Sequence, residues 1–113
     1  MKLTPFLVAT VLACSSITIQ AGPGIADKHT AKNIPCEACH GPDKANLVTP
    51  TIETCSTCHP TKALVEKTAK VKPANPHHSP HYQDQLDCTL CHAGHMESEN
   101  YCNQCHQFDF KLP

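Results

Sequence analysis

Four times the chain spells two cysteines three positions apart with a histidine directly after the second: Cys36-Glu37-Ala38-Cys39-His40, Cys55-Ser56-Thr57-Cys58-His59, Cys88-Thr89-Leu90-Cys91-His92 and Cys102-Asn103-Gln104-Cys105-His106. Two thiols so spaced on one turn of backbone reach the two vinyl groups of a porphyrin and add to them as thioethers, and the adjacent imidazole is then held under the iron. The cassettes therefore predict four covalently bound haem c groups. Cys36, Cys39, Cys55, Cys58, Cys88, Cys91, Cys102 and Cys105 would attach them, and His40, His59, His92 and His106 would be the proximal iron ligands.

Zinc and disulfides are the competing readings. The first two pairs form C-x2-C-x15-C-x2-C, a spacing that fits a zinc ribbon. Four disulfides would equally suit a small exported domain with an even cysteine count. Neither explains a histidine after every second cysteine. At a histidine frequency of roughly one in ten, four such placements would arise by accident about once in ten thousand sequences.

The sixth iron position separates a carrier from an enzyme, because an iron with two strong protein ligands passes electrons with little rearrangement whereas an open one binds substrates. Beyond the proximal set the chain holds five histidines, His29, His77, His78, His81 and His95, and four are needed. His95 lies too near His92 to reach the far face of the same porphyrin and should serve a neighbouring haem. His29 precedes the first cassette by a short loop and is placed to be a distal ligand there. At least two of His77, His78 and His81 complete the set. Met96 is a weaker alternative axial donor.

The elements that must position these groups are modest. The chain has 113 residues, nine of them cysteine and nine histidine, with no tryptophan and a formal charge of −1. This fits one small domain whose side chains are too few to build a core unaided. Lys2 and the apolar run over residues 3–13, followed by Ala21, read as an export signal over residues 1–21, too short to span a bilayer. A looser lipoprotein-like reading places a cut before Cys14. Residues 22–113 then form the haem domain, exported to the periplasm, with no stable membrane insertion after signal cleavage. No basic run suggests nucleic acid. A helix is expected from Pro60 through about Val71, after which Pro73, Pro76 and Pro80 break regular structure. The expected fold is mostly irregular with short α-helices, a small multihaem cytochrome organised around four c-type haems.

The arrangement resembles the small tetrahaem cytochromes c, and above all the cytochrome domain of flavocytochrome c fumarate reductases. The residues carrying the likeness are the early His29, the H-x-x-H pair His78 and His81, the C-H-x-x-H run over residues 91–95, and the ending Tyr101-Cys102-Asn103-Gln104-Cys105-His106-Gln107-Phe108-Asp109-Phe110. The resemblance implies bis-histidine ligation of all four haems by His29, His78, His81 and His95 on the distal side, with His77 left at the surface or behind a ligand. It implies His29 opposite His40 and His95 opposite His106, with His78 and His81 divided between the haems of His59 and His92.

The functional expectation is an electron carrier rather than an enzyme. Electrons would come from a membrane-anchored quinol-oxidising cytochrome and leave near the fourth haem for a separate flavoprotein reductase subunit. The flavin domain that follows this tail in the fumarate reductases is not expected within these residues. Phe108, Phe110 and Leu112 would either dock that partner or pack on the fourth haem. The rival expectation is a multihaem reductase with one open haem site.

Overall fold

The computed structural model describes residues 23–113, so the expected export signal and Cys14 lie outside the described residues. Four short helices, α1 (Ile25–Thr30), α2 (Glu37–His40), α3 (Ile52–Ser56) and α4 (Thr61–Lys67), are followed by two 3₁₀ turns, Cys88–Leu90 and Tyr101–Gln104. Irregular chain joins them. Among the described residues the only ladder pairing outside helices is an isolated antiparallel bridge between Ser79 and Gln83. The fold is thus small, built on short helices and largely irregular, as the composition leads one to expect.

Local chemistry sets where each element begins and ends. Asp27 caps α1 by accepting from the Gly24 amide at 2.8 Å. Gly41, at φ 76°, ends α2 immediately after His40, a backbone conformation in which glycine has no side chain to clash. Pro60 precedes α4, where its missing N–H would have had no helical partner. The helix stops at Lys67, short of the expected Val71. Thr68 ends it, its one hydroxyl proton shared between the Leu64 carbonyl at 2.7 Å and the Asn75 side-chain oxygen at 2.6 Å, in competition with the backbone ladder.

Few interactions hold these pieces together. Ile25 and Ala26 donate their amides to the carbonyls of Ala93 and Gly94 at 2.9 and 2.8 Å, which lays the start of α1 along the loop after the third cassette. The approach is so close that a Cβ on Gly24 would stand 2.2 Å from the Gly94 oxygen. Asp87 caps the first 3₁₀ turn by accepting from the Thr89 amide at 2.9 Å, and its other oxygen accepts from the Ile52 amide at 3.3 Å, joining the second and third cassettes. Asn75 donates to the Val65 carbonyl at 2.9 Å and ties the proline-rich stretch to α4.

No apolar side chain among the described residues is buried. Leu47, Val48 and Met96 are each about 60% or more exposed. Side chains alone therefore supply no core of the kind that stabilises a domain this small.

Candidate functional site

All four cassettes share one hydrogen-bond pattern. The histidine amide donates to the carbonyl of the first cysteine at 3.0 Å in the first cassette, 2.9 Å in the second and 2.8 Å in the third and fourth. The second cysteine's amide closes on the same carbonyl at 3.1 to 3.2 Å. Each cassette is thus a single tight turn with both thiols on it and the imidazole next in line, the geometry that two thioether bonds and a proximal ligand require. Among the described residues no three His, Cys, Asp or Glu side chains gather as a bare metal ion would need, and the eight cysteines form no disulfide.

Every cassette histidine faces a second histidine ring. His40 lies opposite His95 with ring centres 5.8 Å apart, His59 opposite His29 at 6.1 Å, His92 opposite His77 at 6.3 Å and His106 opposite His81 at 6.2 Å. Two imidazoles bound on opposite sides of one metal, each nitrogen about 2 Å from it, have ring centres about 6 Å apart. The donor set and its spacing fit an iron porphyrin at each pair.

These partners are not those that the resemblance implies. His29 faces His59 rather than His40, because α1 is laid along residues 93–94. His95 in turn faces His40, their Nε2 atoms 3.5 Å apart, rather than His106. His81 stands opposite His106, at the tip of the turn closed by reciprocal Ser79 and Gln83 amide hydrogen bonds of 3.1 and 2.8 Å. His77, not its neighbour His78, faces His92. Asn75 makes that choice: its Oδ1 accepts from the His77 amide at 3.0 Å and from the Thr68 hydroxyl at 2.6 Å. His78 is exposed, on the side of Asp84.

Ring orientation is fixed from behind at three of the four pairs. The Nδ1–H of His29 donates to the Ile25 carbonyl and that of His40 to the Val48 carbonyl, each at 2.8 Å, while that of His77 donates to the Thr68 hydroxyl at 3.1 Å. Such a bond selects the tautomer whose Nε2 lone pair is free to hold a metal and makes that nitrogen more basic. His106 is held otherwise: Phe108 stacks on it at 4.7 Å with the planes 5° apart, and Phe110 leans on Phe108 at 5.1 Å. Asn103 and Asn100 anchor that stack, accepting from the Phe108 amide at 2.9 Å and donating to its carbonyl at 3.0 Å.

A comparison with protein families matches residues 28–107, a span containing all four cassettes and their facing histidines, to the cytochrome c3 model. The chain belongs to the cytochrome c3 family. It is an electron-transfer domain of the c-type, multihaem class, and its paired cysteines are consistent with covalent haem attachment.

Among the relatives of this cytochrome c3 domain is the acrylate reductase cytochrome subunit of Shewanella woodyi, 35% identical over 78 residues, which cover 66% of this chain and 65% of the relative. A probable fumarate reductase of Shewanella frigidimarina is 33% identical over 87 residues, 77% of this chain but 11% of that one. The fumarate reductase (cytochrome) of the same organism is 35% identical over 111 residues, 94% of this chain and 18% of that one. The chain thus spans just under two thirds of the first relative and under a fifth of the other two. No solved structure gives a significant match.

Burial in this cytochrome c3 domain favours the neutral form of its site groups, imidazole and thiol alike. It lowers the pKa of His77, and it lowers that of His92 with help from His77, Lys28 and His59, so both rings are neutral donors near pH 7. The Cys88 thiol is pushed up to about 11, first by burial and then by the neighbouring Cys55. Cys55 is raised for the same leading reason, with Cys88 and Cys39 among the groups that act on it. Cys102 is raised by burial and then by Cys91. The thiols of successive cassettes are therefore neighbours in chain order.

Sequence reasoning did not single out Thr68, Asn75, Gly24 or the carbonyls of Ile25 and Val48. Only Asn75 carried a signal, as part of the turn-forming pair Asn75-Pro76 directly before His77.

Proposed function

We propose that the chain is a periplasmic electron carrier with four bis-histidine haems, attached at the four cassettes and ligated by His40 with His95, His59 with His29, His92 with His77, and His106 with His81. The observation that carries this reading is the facing of every cassette histidine by a second imidazole at a spacing suited to one iron. Iron so bound supplies reversible one-electron chemistry. Two protein ligands at each position leave none for a substrate, which favours carrier over the open-site reductase.

The residues also define a route. His77 and His81 lie four positions apart and serve the third and fourth haems, while His92 and His95 lie three apart and serve the third and first. Short backbone links of this kind would hold neighbouring porphyrins close, and the mutual influence of the thiols runs first to second, second to third and third to fourth. Electrons would enter from a membrane-anchored quinol-oxidising cytochrome and leave near the fourth haem.

The acceptor we infer is a flavoprotein subunit reducing an unsaturated carboxylate of the fumarate or acrylate kind, on the strength of the relatives' names. Saturating a carbon–carbon double bond takes two electrons and two protons, and a chain of one-electron centres can deliver the pair.

Protein exported with the haem-attachment machinery tests the reading. We expect a pyridine haemochrome count of four, a mass increase of four haems, low-spin spectra and no shift with carbon monoxide. The haem between His29 and His59, whose planes are 79° apart, should give a more anisotropic low-spin resonance than those whose facing rings lie 8° and 12° apart. Colourless protein, or a carbon monoxide-binding haem, would overturn it.

A further inference from the structure

Resting on that ligand reading, we propose that the haem between His81 and His106 has the highest reduction potential of the four and holds the first electron to arrive. The hydrogen bonds behind the other three pairs set this order, with Thr68 as a positioning residue for His77.

Three pairs each contain one ring whose Nδ1–H is donated to a protein acceptor: His40 to Val48 and His29 to Ile25 at 2.8 Å, and His77 to Thr68 at 3.1 Å. Donating that proton shifts electron density onto the ring and strengthens Nε2 as a ligand, which stabilises ferric over ferrous iron and lowers the potential. A backbone carbonyl accepts more strongly than a hydroxyl. Thr68 compensates in part, because its own proton goes to Leu64 or Asn75, which polarises the oxygen that accepts from His77.

The fourth pair lacks this device. Among the described residues neither His81 nor His106 has a ring nitrogen hydrogen-bonded to protein. Its surroundings are aromatic instead, with Phe108 stacked on His106 at 4.7 Å and Tyr82 set edge-on to His81 at 6.2 Å. Weakly polar neighbours disfavour the form with the extra positive charge, which here is the ferric one. Both effects raise the potential.

The charges nearby do not reverse the order. Asp109, next to Phe108, would favour ferric iron, but its carboxylate is paired with Lys111 at 2.7 Å. Lys28 acts on His92 in the opposite sense and is exposed, so solvent and salt screen it. Redistribution among the sites moves one electron from a ferrous to a ferric iron; no bond is made or broken and no proton is needed.

The test is a stepwise dithionite titration of the holoprotein followed by exchange NMR, which reports the oxidation state of each haem separately. Contacts between haem methyl groups and the Phe108 ring, lost in Phe108→Leu, identify the haem of His106. We expect that haem to carry most of the first electron equivalent. Thr68→Val should raise the potential of the His77 and His92 haem alone, and Thr68→Ser should restore it. Four low-spin haems with another centre reduced first, or no response of that potential to Thr68→Val in folded protein, would overturn this inference and leave the ligand reading intact. Fewer than four low-spin haems would remove both.

Discussion

His77 and His81 sit four residues apart in one proline-rich stretch, yet different forces hold them and the rings they face. His77 is locked from behind by Thr68 and Asn75, polar groups that fix its tautomer as well as its position. His81 rides on a tight turn, and its opposite number His106 is steadied by the flat face of Phe108. A directional hydrogen bond constrains which nitrogen carries the proton and how basic the other is; a stacked ring constrains only the plane. The caps of the two cassettes differ in the same way, since an ionisable Asp87 starts the third and a neutral Asn100 the fourth.

The largest test sets His77 against its neighbour. In holoprotein, His77→Ala should open one haem of the four to carbon monoxide and give a high-spin band, whereas His78→Ala should leave all four low-spin. The reverse result would dissolve the contrast between the third and fourth sites. Next in size is Asn75→Ala, which removes the acceptor for both the His77 amide and the Thr68 hydroxyl and should cost about 1–3 kcal/mol in denaturant unfolding. Tyr82→Phe, which loses only an exposed 3.4 Å phenol contact with Tyr101, should stay within about 0.5 kcal/mol.

Acid should sharpen the difference between the caps. The Thr89 hydroxyl, bonded to the Asp87 carboxylate, holds its pKa below the ordinary range against burial, the next largest effect, and the Thr89 and Ile52 amides add smaller lowering contributions. A carboxyl whose folded pKa is depressed stabilises the fold above its unfolded value, about 3.9, and loses that contribution as pH falls through the folded one. Amide exchange at Thr89 and Ile52 should therefore quicken below about pH 4 relative to Cys102, whose Asn100 cap does not titrate. Asp87→Asn should abolish the pH dependence at a cost of about 1 kcal/mol or less.

The four tight turns that carry two cysteines and a histidine were legible in the sequence, because that local spacing is fixed by the chain and no distant contact can alter it. The short helices and sparse core followed equally from composition. The facing histidines were less legible, since each is brought in by tertiary approach: His29 reaches His59 through two backbone hydrogen bonds to residues 93 and 94, which leave no mark on side-chain pattern. The preference for His77 over His78 turns on one residue of register, decided by an asparagine and a threonine that look like ordinary loop and helix-end residues. Thr68 also ended α4 four residues before the apolar pattern suggested.

The contact between Gly24 and Gly94 has a consequence for how the molecule is made. A chain delivered from its amino end presents residues 24–29 long before residues 93–96 emerge, so α1 has nothing to close against until the third cassette is out. His29 is then the later of the two facing rings to be seated against His59, although it is the first histidine made. With Gly24→Ala the seam could not shut without moving backbone, and the early half of the protein would wait, with His59 left unfaced.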